Sequence, residues 1–351
     1  MTGILTFHRG PNYGGFLQAW HMREAVRSLG HDATLVNYQC ARHHDAERVR
    51  FRGIKPKQLK GLALHYLKSR PFTQPVNSLS NFPFTSDPYA VPWKNFASVV
   101  VGADVVWNFT NHTHGNDPVF FGADPAQQDT RFIAYAPSCG DTPADADLPD
   151  YVSDGLRRFA SIHVRDETTA ALVERATGTR PKLVVDPTWL QDDPDAPCRK
   201  IPHDLKYALV YGQGATGARA KILGDHCRKR GLSIVSAAFP CEATTHRLYS
   251  IDPFEWADLF RRAECVVTST FHGLLYAIKY HKPVIFMDRP ASRAKSSLVI
   301  DRCGLQDRVV EEGHPFAPAH LDHCLTQAGG CEIPEAWRQQ SLERLRKSLE
   351  R

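Results

Sequence analysis

Short apolar runs alternate with helix-patterned segments along almost the whole chain, and this alternation confines the fold to parallel sheets covered by helices. In the first half, strands are expected at residues 3–8, 33–38, 97–101, 132–136, 162–164 and 183–185. An amphipathic helix over 16–29 stops at Gly30, and a second lies around 151–159. The second half begins the alternation afresh, with strands at 207–211 and 233–237 and helices at 218–230 and 253–262. Between the halves, residues 191–202 carry Pro194, Pro197 and Pro202 among charges, the composition of an inter-domain linker. A chain of 351 residues is long for one core, so two Rossmann-like domains are expected, at 1–190 and 203–332. Residues 333–351 read as a closing helix whose Leu342, Leu345 and Leu349 suit docking back on the first domain; a membrane-surface helix is the other reading. Residues 42–70 are basic, and Leu59, Leu62, Leu64 and Leu67 predict a partly helical excursion. Residues 71–92, rich in Pro, Ser and Asn, read as a long, lid-like loop.

Composition removes several classes of function. With 43 basic against 38 acidic residues the net charge is only +5, which allows an acidic substrate but does not indicate nucleic acid. Hydrophobic residues at 42% and charged residues at 23% are those of an ordinary soluble globular protein. The nine cysteines are scattered without a Cys-x-x-Cys pair, which argues for reduced thiols in a cytoplasmic compartment and against a zinc site. His43, His44, His112 and His114 match no metal-ligand spacing, so no metal is expected. A strand begins by residue 3, which leaves no room for a signal peptide, and no apolar run has the length of a spanning helix.

The segment 264–286 carries the chemistry. An apolar run, Cys265-Val266-Val267, leads through Thr268-Ser269-Thr270-Phe271-His272-Gly273 into a helical pattern, and Val284-Ile285-Phe286-Met287 begins the next strand. His272 therefore falls at a strand-to-helix turn, where free N–H groups and the positive end of the helix dipole favour an anion. A core histidine bonded to a backbone carbonyl is the alternative. In the first half, the loop His8 to Gly15 with Arg9, Asn12, Tyr13 and Gly14 lets backbone approach a ligand, but it is not a dinucleotide fingerprint. Asp104 and Trp107 follow a strand, where an acid and an aromatic face can hold a sugar; an N-cap aspartate and a core tryptophan would look the same in sequence.

Six segments in order resemble the polysaccharide pyruvyl transferase family. They are Ile4 to His8 with Asn12 to Ala19; Gly102-Ala103-Asp104-Val105-Val106-Trp107-Asn108; Tyr135 to Gly140; Val164-Arg165-Asp166-Glu167; Val185-Asp186-Pro187-Thr188; and Thr270-Phe271-His272-Gly273. Two tandem parallel-sheet domains with a closing helix amount to a glycosyltransferase-B type architecture, which the resemblance also implies. It implies transfer of pyruvate from phosphoenolpyruvate onto two hydroxyls of a saccharide, giving a cyclic ketal and phosphate, with no cofactor. Histidine suits the proton steps, and arginine suits the carboxylate and phosphate of the donor.

Carried over residue by residue, His272 and Asp104 are the expected catalytic groups. Arg165, Ser269, Thr270, Gly273, Arg289, Arg293 and Lys295 are expected to bind the donor, and His8, Asn12, Tyr13 and Trp107 the acceptor. For Arg165 a surface pairing with Asp166 or Glu167 is the alternative. One branch of the family has an arginine where this chain has Thr270, and alanine stands at 103 in place of serine; Arg289, Arg293 or Lys295 would supply the missing charge. The acceptor is expected to be a saccharide or lipid-linked saccharide met in the cytoplasm, with peripheral membrane association through that acceptor. A nucleotide-sugar glycosyltransferase and a catalytically silent carbohydrate-binding protein are the alternative functions.

Overall fold

The computed structural model describes residues 1–49, 66, 69–311, 313–326 and 332–350. Leu59, Leu62, Leu64 and Leu67 lie outside the described residues. The chain divides into two compact units: Met1–Ala63 with Thr73–Gln191 and Glu335–Arg351, and Leu64–Phe72 with Asp192–Pro334.

Unit 1 is built on strands β1 (Thr2–Leu5), β2 (Ala33–Leu35), β3 (Ser98–Val101), β4 (Phe132–Tyr135), β5 (Ser161–Val164) and β6 (Lys182–Leu183), ordered β2-β1-β3-β4-β5-β6. Unit 2 has β7 (Tyr207–Tyr211), β8 (Ser233–Ala237), β9 (His246–Leu248), β10 (Cys265–Thr268), β11 (Val284–Met287) and β12 (Val309–Val310), ordered β12-β11-β10-β7-β8-β9. Every pairing is parallel. The β-branched strands β1, β3, β4, β7, β10 and β11 are buried along their whole length, as parallel strands covered on both faces must be.

The helices are α1 (Tyr13–Ser28), α2 (Ala41–Val49), α3 (Thr73–Asn77), α4 (Asp150–Arg157), α5 (Glu167–Thr177), α6 (Gly217–Lys229), α7 (Pro253–Arg262), α8 (Phe271–Lys279), α9 (Pro290–Arg302), α10 (Pro318–Thr326) and α11 (Glu335–Glu350). Their starts follow from side-chain caps. Asn12 takes the Gly15 N–H, Asp166 takes the Thr169 N–H, and Asp252 with Glu255 forms a reciprocal capping box.

Several expectations shift. The strand expected over 3–8 ends at Leu5, which turns Thr6 to His8 into loop. The stretch 71–92 holds the short helix α3 and is tied to the segment after β2 by Thr85 pairing with Tyr38. The segment from Asp192 onward is fastened to unit 2 rather than running free. The Asp193 carboxylate takes Tyr276 Oη at 2.9 Å, Tyr280 Oη at 2.6 Å and Lys279 Nζ at 2.7 Å, and the Cys198 N–H reaches Asp258 at 2.9 Å. On α11 the buried residues are Trp337, Ser341, Leu345, Ser348 and Leu349, while Leu342 is only half-buried. The helix is held to unit 1 by the Val185 N–H donating to Ser341 Oγ at 3.1 Å and by Arg131 donating to the Ser348 carbonyl at 2.8 Å. No helix among the described residues is long and apolar enough to cross a membrane.

Candidate active site

In open parallel sheets ligands sit beyond the carboxyl ends of the strands, beside the point where the strand order reverses. In unit 1 that point lies between β1 and β3, since the chain goes to β2 on one side and to β3 on the other. In unit 2 it lies between β7 and β10. Each unit is described by itself.

At the unit 1 point, β1 leads into Thr6-Phe7-His8 and β3 into Gly102-Ala103-Asp104. Gln18 of α1, fully buried, stitches these loops together. Its amide donates to Thr6 Oγ1, the Phe7 carbonyl and the Gly15 carbonyl, and its oxygen accepts from the Ala103 N–H at 3.2 Å. Thr6 Oγ1 in turn donates to the Ala103 carbonyl at 3.1 Å. Asp104 adopts φ of +67°, a left-handed conformation that aspartate tolerates better than most residues. Its carboxylate lies beside the first turn of α1, where a Cβ on Gly15 would be 3.4 Å from Oδ2, so the helix dipole supports the negative charge.

Arg165, at the end of β5, is 3% exposed and pairs with Asp186 at 2.8 Å; Asp104 Oδ1 is 4.0 Å from its other terminal nitrogen. The surface pairing does not occur. Asp166 instead caps α5 and Glu167 meets Arg180 at 2.6 Å. One guanidinium among two carboxylates leaves these three groups without net positive charge, an environment better suited to hydroxyls than to an anion.

His8 is 3% exposed, with Nδ1 2.9 Å from the Thr6 carbonyl, and burial pushes its pKa down to about 4. Asn12 is exposed and caps α1, whereas Tyr13 is buried within the first turn. Trp107 proves to be a core residue. It is fully buried, its indole N–H donates to the Phe120 carbonyl at 2.9 Å, and its ring lies against Phe121 and Phe159. No face of it is left for a sugar.

At the unit 2 point, β10 runs into Ser269 and Thr270, and α8 starts at Phe271. Thr270 is the N-cap and accepts the Gly273 N–H at 3.0 Å, so its hydroxyl oxygen serves the helix. Thr268 Oγ1 donates to the Tyr211 carbonyl at 2.6 Å, fixing the end of β10 to β7. A Cβ at Gly273 would fall 2.1 Å from Thr268 Oγ1, so only glycine lets the helix start this close to the strand. Opposite, Ser269 Oγ accepts the Gln213 N–H at 2.9 Å, which leaves its own proton to donate. Gly212, with φ of +131°, would bring a Cβ within 2.4 Å of Ser269 Oγ.

Arg289 follows β11 and donates to Gln213 Oε1 at 2.7 Å, so a guanidinium backs the loop that meets Ser269. Arg293 is engaged with Asp288 at 2.6 Å, and Lys295 is half-buried further along α9. The charged stretch 288–295 runs from the end of β11 into α9, which begins at Pro290. His272, the second residue of α8, is half-buried beside these groups in sequence. Of the residues expected in unit 2, Ser269, Thr270 and Gly273 meet at the start of α8 and Arg289 joins them through Gln213, while Arg293 is held by Asp288; in unit 1 Trp107 belongs to the core. Gln18, Gln213 and Asp186 were not singled out as site residues; Gln18 and Asp186 lie within two of the family-like segments, and Gln213 is an exposed loop residue with no local signal.

A family model described as polysaccharide pyruvyl transferase matches residues 12–290, and the chain belongs to that family. Membership makes it a transferase of polysaccharide synthesis. Among solved structures it is similar to the UDP-GlcNAc 2-epimerase of Methanocaldococcus jannaschii in complex with UDP-GlcNAc and UDP, at a TM-score of 0.54 and 12% identity over 99% of each chain. It is also similar to Staphylococcus aureus MnaA with UDP (TM-score 0.52, 10% identity, 99% of this chain and 97% of that one). A putative UDP-N-acetylglucosamine 2-epimerase of Listeria monocytogenes follows at 0.51 and 11%, over 98% and 94%. At these identities the likeness speaks for the fold alone, two Rossmann-like units of the glycosyltransferase-B type. No curated protein matches the sequence significantly.

Proposed function

We propose that the chain transfers pyruvate from phosphoenolpyruvate to two hydroxyls of a saccharide or lipid-linked saccharide, forming a cyclic ketal and releasing phosphate. The observation that carries this reading is the start of α8. There His272 stands between the cap Thr270 and the obligatory Gly273, with Ser269 and the Gln213–Arg289 contact alongside. The first backbone N–H groups of α8 and the Ser269 hydroxyl suit the carboxylate and phosphate oxygens of the donor, with Arg289 adding charge. His272 delivers the proton to C3 of the enol, which makes C2 electrophilic. A hydroxyl then bonds to C2 as its O–H bond breaks, and its proton replaces the one that His272 gave up; the C2–O bond to phosphate breaks with its electron pair, and the second hydroxyl closes the ketal while its proton goes to the departing phosphate. In unit 1, Arg165 and the first turn of α1 flank the Asp104 carboxylate, which suits it to accept hydrogen bonds from sugar hydroxyls.

Phosphoenolpyruvate is expected to raise the melting temperature, and nucleotide sugars are not. His272→Ala is expected to keep the fold and lose about a hundred- to ten-thousandfold in phosphate release with hexoside acceptors. Stabilisation by a nucleotide sugar alone would move the chain to glycosyl transfer. A destabilised but fully active His272→Ala protein would return the histidine to the core.

A further inference from the structure

Arg219 is the third residue of α6, and an arginine there opposes its own helix. The first turn of α6 holds no acidic residue and Thr216 makes no side-chain cap, so the positive end of the dipole meets a guanidinium. The partners of Arg219 do not offset that charge. Nε donates to the His314 carbonyl at 2.7 Å, Nη2 donates to the Glu311 carbonyl at 2.9 Å, and the group lies 5.6 Å from the centre of the Phe316 ring. Among the described residues Nη1 makes no hydrogen bond and no carboxylate pairs with the guanidinium. The two glutamates nearby are turned to other groups: Glu242 accepts the Gly217 N–H at 2.8 Å, and the Glu311 carboxylate lies 3.9 Å from the His314 ring. A half-buried cation fixed at the unfavourable end of a helix is relieved when an anion arrives.

The place is the carboxyl edge of the unit 2 sheet. Gly214, just past the end of β7, has φ of +101°, and a Cβ on it would lie 3.5 Å from Arg219 Nη1 and 3.5 Å from Met287 Sδ at the end of β11. Gln213, the residue before, accepts from Arg289 at 2.7 Å through its side chain and gives its N–H to Ser269 Oγ. Two consecutive residues of one loop thus each carry a guanidinium, beside the serine that precedes α8. Every residue involved belongs to unit 2. Arg293 adds no further charge here, because Asp288 holds it at 2.6 Å. We propose that Arg219 is a further donor-binding residue: together with Arg289 it holds the phosphate of phosphoenolpyruvate, while the start of α8 and Ser269 hold the carboxylate. This rests on the ketal-forming reading above. A phosphate monoester carries about −1.5 to −2 charge at neutral pH and a carboxylate only one negative charge, so the paired guanidiniums match the phosphate. Negative charge grows on that phosphate as its bond to C2 breaks, and guanidiniums already in place stabilise it without rearrangement.

The test titrates full-length protein with inorganic phosphate, phosphoenolpyruvate and pyruvate in a calorimeter. Arg219→Gln is expected to weaken phosphate and phosphoenolpyruvate about ten- to hundredfold and to change pyruvate by less than about twofold. Arg219→Lys should still lose about tenfold for the two phosphate ligands, because a point charge cannot hold the His314 and Glu311 carbonyls and an anion at once. The lysine variant carries the test should Arg219→Gln fail to fold. Arg228→Gln removes an exposed charge from the last turn of the same helix and should leave all three ligands within about twofold of wild type. Three results overturn the proposal: a wild type that binds neither phosphate nor phosphoenolpyruvate, Arg219 variants that bind both as wild type does, and a loss in Arg228→Gln or for pyruvate as large as that for phosphate in Arg219→Gln. If phosphate binding depends on Arg219 but no hexoside brings about phosphate release from phosphoenolpyruvate, the ketal-forming reading fails and the phosphate site stands.

Discussion

Gly273 and Gly224 show how one substitution changes sign with its surroundings. At Gly273 a methyl group would meet Thr268 Oγ1 at 2.1 Å and Thr270 Oγ1 at 2.7 Å, and Thr268 is pinned to the Tyr211 carbonyl. Gly273→Ala should therefore cost about 1–3 kcal/mol of stability through overpacking and weaken donor binding by pushing α8 off the strand. At Gly224, inside α6, the new methyl finds only Ala243 Cβ at 3.4 Å, an ordinary contact. Gly224→Ala should stabilise by about 0.5–1 kcal/mol, because alanine loses less backbone entropy in a helix. Urea titrations of the two variants read both signs, and a neutral Gly273→Ala would mean the strand end yields. The strand-to-helix turn that carries His272 and Gly273 was legible in sequence, because a strand, a polar turn and a helical pattern follow one another within a few residues. The face a tryptophan presents is not local information, and Trp107 went to the core for that reason. The Arg165–Asp186 pair, 21 residues apart, exists only because β5 and β6 end side by side.

Helix α8 is fastened at its far end as well as at its start. Tyr276, Lys279 and Tyr280 share one face at i, i+3 and i+4, and all three converge on the carboxylate of Asp193, whose side chain is wholly buried. Burial lowers the pKa of Lys279 while Asp193 pulls it back up, with Asp192 adding to the pull. Asp193→Ala is expected to cost about 3–5 kcal/mol, since it strands a buried charge, and Asp193→Ala with Lys279→Met should recover most of the loss. Denaturation of the single and double variants measures this; a single variant within about 1 kcal/mol of wild type would show that water reaches Lys279. Sequence reading took 191–202 for a linker because prolines and charges dominate it, and composition does not reveal that one of those charges has a buried partner on a distant helix. Helix α9 was missed for a related reason. Its buried face opens with Ser292 and Ser296 and turns apolar only from Leu298, so no helical stripe stands out. Strand β9, three residues at a sheet edge with His246 and Arg247, lacks the apolar run that betrayed the others.

Over the whole molecule, buried neutral histidines set the response to acid. His8 and His163 are each pushed down to about 4, chiefly by burial, and Arg344 adds to the effect at His163; in unit 2, burial also lowers His226. Their folded pKa values lie below the unfolded value near 6.5, so the unfolded chain binds more protons, and stability falls as pH drops from about 6.5 towards 4. Each fully shifted histidine contributes a slope of up to about 1.4 kcal/mol per pH unit in that window. His163→Gln should flatten the slope relative to wild type, as read from urea midpoints at pH 7.5 to 4.5. Parallel slopes for the two proteins would remove His163 from the account.

The closing helix α11 belongs to unit 1, although the whole of unit 2 precedes it in the chain. On a translating ribosome unit 2 is therefore complete while unit 1 still lacks its last element. Until Ser341 emerges, the Val185 N–H, buried in the unfinished unit 1, lacks its partner, and Trp189 waits for the ring of Trp337. The order of synthesis makes the first unit begun the last one finished, and a nascent chain stalled before α11 would present the sheet face that α11 covers, beside β4 and β5, to any chaperone within reach.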